Sequence, residues 1–191
     1  MHHGHVTWGA HARRRFRSPG SGKSTLAHAL ADKIGVPAII RDEIKQGMVA
    51  ATGPRDAGYG DLDIPALHAF FDTLTVLARA GVTVVAEAAF QDKLWRPNLI
   101  PLTALAQVRI IHCTSPQHVR HDRIAHRANR DLHRRAHNDA DILAEIATGT
   151  RTADSFVAVN LDVAQMTVDT TEGYQPGLDA IVGFVIAPPG N

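Results

Sequence analysis

Eight consecutive residues, Ser18-Pro19-Gly20-Ser21-Gly22-Lys23-Ser24-Thr25, combine the parts needed to hold a phosphate. Glycines let the backbone curl so that successive N–H groups face one anion, and a helix beginning there adds the partial positive charge of its N-terminus. Lys23 has the reach to neutralise β- and γ-phosphate oxygens, and the hydroxyl of Ser24 directly after it suits a Mg²⁺ ligand. A Ser/Gly-rich turn before a helix capped by Ser21 or Ser24 would use the same residues without a ligand. Gly-Lys-Ser-Thr at the head of a helix favours the phosphate reading. The stretch departs from the full pattern G-x-x-x-x-G-K-[ST] at one place: Arg17 stands where the first glycine belongs.

Carboxylates at the ends of apolar runs come next. Asp42 and Glu43 follow Val36–Ile40 almost directly, and Glu87 ends Val82–Ala86. In a doubly wound sheet, ligands bind beyond the carboxyl ends of the strands. An acid such as Asp42 there can accept a proton from an attacking hydroxyl, although Asp42 can equally cap a helix over Glu43–Ala50. Glu87 occupies a Walker B-like position, where a carboxylate holds magnesium or its water, and a buried carboxylate without a partner is costly.

Arg120, Arg123, Arg127, Arg130 and Arg134 are spaced 3, 4, 3 and 4 apart and so share one helical face. Such a stripe is ordinarily a solvated surface, but a triphosphate is an anion that planar guanidinium forks fit, and the phosphate loop tips the reading toward a ligand. His118/His121 and His133/His137 have spacings that can share a metal. They lie among arginines that would repel a cation and are read as surface residues. His112 reads as a strand residue, and Cys113 as packing.

The elements that must position these groups alternate between helices and short apolar runs. Leu26, Ala27, Leu30, Ala31 and Ile34 recur at helical spacing before Gly35, and Leu67 to Leu77 repeat the pattern before Gly81. Strands are expected at Val36–Ile40, Val82–Ala86, Val108–Cys113 and Val163–Val168. Further helices are expected at Lys93 to Ala106, from Pro116, at Asp139–Ala147 and at Leu178–Ile186, with a mobile loop over Thr52–Asp63. Apolar strands separated by helices imply a doubly wound α/β sandwich around a parallel sheet.

The first 17 residues fit this scheme poorly. A strand should lead into the phosphate loop, yet His11–Arg17 carries four arginines that a central strand cannot bury, and the strand-like Val6–Trp8 lies far upstream. The expectation is an atypical basic arm over residues 1–17, a missing first strand, and one domain over 18–191. A wrong start or out-of-frame translation is favoured over a genuine arm, and a tag is the weakest explanation.

Composition bounds the rest. The 191 residues are 45% hydrophobic and 20% charged, with a formal net charge of +1, which describes one globular domain and gives no global argument for nucleic acid. The charge is uneven: Arg109 to Arg151 holds eight arginines against five acids, which suggests a basic cluster facing an anion. A single cysteine excludes an intrachain disulfide, and neither a membrane span nor a signal peptide is visible, so a cytoplasmic location is expected.

From Ser18 onward the order of features resembles small P-loop kinases and related AAA-type ATP-binding proteins, including gluconate-kinase-like, chloramphenicol-phosphotransferase-like and zeta-toxin-like families. The matching pieces are Pro19–Thr25, Arg41-Asp42-Glu43, Val84–Phe90, the Arg123-to-Arg135 segment and Val168–Tyr174. The resemblance implies strand order 2-3-1-4-5, an arginine-bearing lid after the fourth strand, and ATP and Mg²⁺ as cofactors. It implies that Gly20, Ser21, Gly22, Lys23, Ser24 and Thr25 hold the phosphates, with Thr25 near the α-phosphate. Arg123 and Arg127 would close over ATP, Thr171 would lie in the loop flanking adenine, and Ser24 with Glu87 would hold the metal. The expected activity is transfer of the γ-phosphoryl group to a small-molecule hydroxyl positioned by Asp42. Two alternatives stand beside it: an ATP-binding regulatory or inactive module, and a nucleic-acid 5′-hydroxyl kinase, which is possible but not favoured.

Overall fold

The structure, a computed structural model, describes residues 5–9, 20–52, 62–89, 92–128 and 159–188. Among the described residues, five strands form one parallel sheet: β1 (His5–Gly9), β2 (Ala38–Ile40), β3 (Val84–Glu87), β4 (Gln107–Thr114) and β5 (Ala164–Asp169), in the order β2-β3-β1-β4-β5. Six helices among the described residues accompany them: α1 (Lys23–Ile34), α2 (Arg41–Thr52), α3 (Asp63–Arg79), α4 (Asp92–Thr103), α5 (Gln117–Ala128) and α6 (Leu178–Ile186).

The sheet is covered on both faces, which is why β3 is buried at every residue and β4 at all but its two ends. Alternate side chains sort to opposite layers. Val84, Ala86, Val108 and Ile110 pack with Leu67, Phe70, Phe71 and Leu74 of α3 and with Trp95, Leu99 and Leu102 of α4. Val85, Ile111, Cys113 and Val168 pack with Leu26, Ala27, Leu30 and Ala31 of α1 and with Ile181 and Val185 of α6. Phe70 makes edge-to-face pairs with Phe71 and Trp95, ring centroids 5.5 and 5.9 Å apart, closing the first layer despite the few aromatics. Two prolines, Pro97 and Pro101, lie within α4.

The expectation of a missing first strand is corrected. β1 lies at the centre of the sheet, with Val6 opposite both Val84 and Val108, and Gly9 opposite both Glu87 and Ile111. Val6-Thr7-Trp8 is a β-branched and aromatic run of good strand propensity. Pairing with β3 and β4, not adjacency to the phosphate loop, makes it a strand. The arginine-rich stretch through Arg17 lies outside the described residues, as do the expected helix at Asp139–Ala147 and most of the Thr52–Asp63 loop.

Arg109 also departs from expectation. It does not join a basic cluster facing a ligand: it is a buried strand residue whose guanidinium donates to the carbonyls of Phe184, Ala187 and Pro188, tying down the end of α6. Its guanidinium carbon also lies 5.6 Å from the Phe184 ring centre. Among the described residues, no helix is long and apolar enough to cross a membrane.

Candidate functional site

The carboxyl ends of the strands converge on α1. Glu87 is the last residue of β3, flanked in register by Ile40 of β2 and Gly9 of β1, and Thr114 and Asp169 end β4 and β5 side by side. The N-terminus of α1 meets this edge through Gly20-Ser21-Gly22. Gly22 is the helix N-cap at φ +75°, with no side-chain cap, so the reading of Ser21 or Ser24 as a cap is corrected. Gly20, at φ +94°, lies so close to α5 that a Cβ there would come 2.6 Å from the backbone oxygen of Arg120. Both positions demand glycine for conformation, and Gly20 demands it for space as well.

Ser24 donates its hydroxyl to Glu87 Oε2 at 2.8 Å, joining the start of α1 to the end of β3. Glu87 is 3% exposed. Burial pushes its carboxyl above the ordinary range, and the charges of Asp42 and Glu43 add to this, against the opposing pull of Lys23 and the Ser24 hydroxyl. Lys23 rests its ammonium on Ser21 Oγ at 3.2 Å. A hydroxyl and a carboxylate in contact beside a lysine form an all-oxygen donor pair. That pair suits a magnesium ion that keeps waters and takes its other ligands from phosphate.

Asp42 lies in the first turn of α2, which begins at Arg41, so it does not cap a helix starting at Glu43. Its carboxylate accepts from Arg41 Nη1 at 3.1 Å, and its charge is felt at Glu87. Glu43 turns toward α1, where its Oε1 lies 2.7 Å from His28 Nε2. Sequence reasoning missed what holds this turn. Asp63, the first residue of α3, accepts from Arg41 Nη2 at 2.6 Å and from the buried Lys45 ammonium at 2.9 Å. Burial raises the Asp63 carboxyl, but the hydrogen bonds from Arg41 and Lys45 bring it below the ordinary value.

The arginines of α5 do not form a uniform stripe. Arg120 is 3% exposed and donates Nη1 to Ser115 O at 2.7 Å. Arg123 donates Nη1 to Gly20 O at 3.2 Å and Nη2 to Thr170 O at 2.6 Å and Thr171 O at 3.0 Å. Arg127 lies in the last turn of α5, and Arg130 and Arg134 fall outside the described residues. Thr171, expected near a base, donates its backbone N–H to Asp169 Oδ1 at 2.7 Å.

A cavity of about 450 Å³ opens between the glycine loop and the loop after β5. It is lined by Gly20, Gly22, Thr25, Arg123, Thr170 and Tyr174 among others. Its position beside the α1 N-terminus gives an anion-binding end and an aromatic, partly apolar end. Lys23, Ser24 and Glu87 gather at the strand ends, with Asp42 in the first turn of α2. Cys113 is buried, its thiol pushed up to about 12 by burial, and takes no part. His112 is likewise a buried strand residue, its Nε2 2.8 Å from Gln165 Oε1. No group of three or more His, Cys, Asp or Glu among the described residues is placed to hold a metal ion.

A family profile described as AAA domain matches residues 18–148. No curated protein matches the sequence. Among solved structures, the chain is similar to a putative kinase from Chloroflexus aurantiacus, at 22% identity and a TM-score of 0.69, over 97% of this chain and 95% of that one. It is similar to the APS kinase of Mycobacterium tuberculosis in complex with AMPPNP and APS, at 16% identity and a TM-score of 0.60, over 95% and 97%. Shikimate kinase from Acinetobacter baumannii, in complex with shikimate, aligns at 16% identity and a TM-score of 0.51, over 97% and 95%. At these identities the likeness is one of fold.

Proposed function

The chain belongs to the AAA domain family, and on that basis we propose that it transfers the γ-phosphoryl group of ATP to a hydroxyl of a small molecule. The observation that carries this reading is the contact of Ser24 with the buried Glu87 at 2.8 Å, beside Lys23 and at the mouth of the glycine loop. A lysine, a hydroxyl and a strand-end carboxylate so arranged fit phosphoryl transfer better than any other use of these groups.

Gly20, Ser21 and Gly22 direct backbone amides at the phosphate chain, and Thr25 lies beyond them along the cavity wall. Lys23 leaves Ser21 and neutralises the β- and γ-phosphate oxygens. Ser24 and Glu87 hold Mg²⁺, which when bound supplies neutralisation of the developing charge on the phosphates. Arg123 and Arg127 of α5 bound the nucleotide on the lid side, and Thr171 belongs to the loop flanking the base. Asp42 orients the acceptor hydroxyl and takes its proton as the oxygen bonds to the γ-phosphorus, while the bond to the β-phosphate oxygen breaks and ADP leaves.

Transfer is tested by following ADP release and phosphorylated product with hydroxyl acceptors that include D-gluconate, shikimate and short 5′-hydroxyl oligonucleotides. Product formation lost in Lys23→Ala and reduced in Asp42→Asn is the expected result. Nucleotide binding without transfer to any acceptor would favour a regulatory module instead.

A further inference from the structure

Thr170, which lies outside the G-x-x-x-x-G-K-[ST] pattern, bonds the glycine loop and packs against it. It follows β5 directly and is 3% exposed. Its backbone N–H donates to Thr114 O at 2.8 Å, continuing the β4–β5 pairing by one residue. Its hydroxyl proton is shared between Ser21 O at 2.8 Å and Thr114 O at 3.0 Å. The side chain also lies where Gly22 would carry a Cβ: Oγ1 and the Cβ of Thr170 would stand 3.2 and 3.3 Å from it. Thr170 therefore fills the space that the glycine leaves.

Arg123 completes the arrangement from α5. One arm of its fork reaches Gly20 O and the other reaches Thr170 O and Thr171 O. Two successive carbonyls of the loop, those of Gly20 and Ser21, are thus each held from outside by a side chain. In a trans peptide the C=O and the following N–H point in opposite directions. Fixing Gly20 O toward Arg123 sets the direction of the Ser21 N–H, and fixing Ser21 O toward Thr170 sets that of the Gly22 N–H.

We propose that Thr170, with Arg123, is a positioning residue that turns the loop amides toward the phosphate chain before any nucleotide arrives. Preorganisation of this kind strengthens binding because the ordering cost is met in the free protein. The role rests on the nucleotide-binding reading above, and it makes the loop after β5 and the phosphate loop one mechanical unit. The physical signature is specific to a hydroxyl: valine has the shape of threonine but leaves the carbonyls of Ser21 and Thr114 without that donor, whereas serine keeps the donor.

The experiment compares wild type, Thr170→Val and Thr170→Ser by two readouts: calorimetric titration with Mg²⁺-AMPPNP, and hydrogen exchange of the residue 20–24 amides in the nucleotide-free protein. Thr170→Val is expected to weaken binding about tenfold or more and to speed exchange at Ser21 and Gly22. Thr170→Ser is expected to behave close to wild type in both. Unchanged binding and exchange in a cooperatively melting Thr170→Val would overturn the proposal, as would a serine variant as damaged as the valine one. If Thr170→Val does not melt cooperatively, Arg123→Lys, which keeps the charge but loses the fork, is read by exchange alone because Arg123 also borders the nucleotide: faster exchange at Ser21 is expected, and unchanged exchange would overturn the proposal. Failure of wild type itself to bind Mg²⁺-AMPPNP contradicts the nucleotide reading, and the exchange data then decide the brace separately.

Discussion

Replacing Gly20 by alanine probes the packing of the phosphate loop against α5. Two costs add. At φ +94° an L side chain is strained by about 1–2 kcal/mol. The new Cβ would also lie 2.6 Å from Arg120 O and 3.1 Å from Arg120 Cα, inside contact distance of helix backbone that is itself bonded through Arg120 N to Pro116 O. Relieving such an overlap costs about 1–3 kcal/mol more. Gly35 supplies the control. It has a similar φ of +71°, ends α1, and would place its Cβ in open space, so Gly35→Ala carries only the first cost. At about 2–4 °C per kcal/mol for a chain of this size, Gly35→Ala should lower Tm by about 2–8 °C and Gly20→Ala by about 4–20 °C. Differential scanning calorimetry measures both, and titration with Mg²⁺-ATP shows whether the loop has yielded instead of α5. A Gly20→Ala variant that melts with Gly35→Ala and binds nucleotide like wild type would refute the reasoning.

Three further outcomes follow from the charged groups. Glu87→Gln should stabilise the nucleotide-free protein at neutral pH, because burial raises the Glu87 carboxyl and its ionised form is costly. The gain in melting temperature should shrink as pH falls toward the ordinary value of 4.5, where wild type is protonated too, while Mg²⁺-dependent binding is lost at all pH values. Asp63→Asn strips Lys45 and Arg41 of a shared carboxylate, at a cost of about 1–2 kcal/mol after solvent screening of the half-exposed Asp63. Since that carboxyl is lowered in the fold, the difference from wild type should be full above the ordinary 3.8 and fade in melts at lower pH. Arg109→Met should free the end of α6 while sparing nucleotide binding, seen as faster hydrogen exchange confined to residues 178–188.

The fold was legible wherever periodicity was strong. The C-cap of α1 at Gly35, the end of α3 just before Gly81, the apolar strands and the Glu87 strand end follow from turn chemistry and from patterns that burial on two faces imposes. β1 carries little signal in the sequence because it has only five residues, the glycine loop does not follow it directly, and strand pairing is a property of partners far along the chain. In the site, Lys23, Ser24 and Glu87 could be named because each residue type is tied to one task at one spacing. Thr170 and the Asp63–Arg41–Lys45 cluster could not. They act through backbone carbonyls and a carboxylate contributed by segments 149 and 18–22 residues away in sequence, and their types are common everywhere on a protein surface. The arginine spacing was real, but spacing alone does not tell a side chain that meets a ligand from one, like Arg120, that is buried against its own helix start.

The most direct test is calorimetric titration of the full chain with ATP in the presence and absence of Mg²⁺, repeated with Lys23→Ala and Ser24→Ala. Single-site binding that strengthens with Mg²⁺, disappears in Lys23→Ala and loses its Mg²⁺ dependence in Ser24→Ala is the predicted result. Absent binding, or binding indifferent to both substitutions, would contradict the assignment of the glycine loop and the Ser24–Glu87 pair as a nucleotide site.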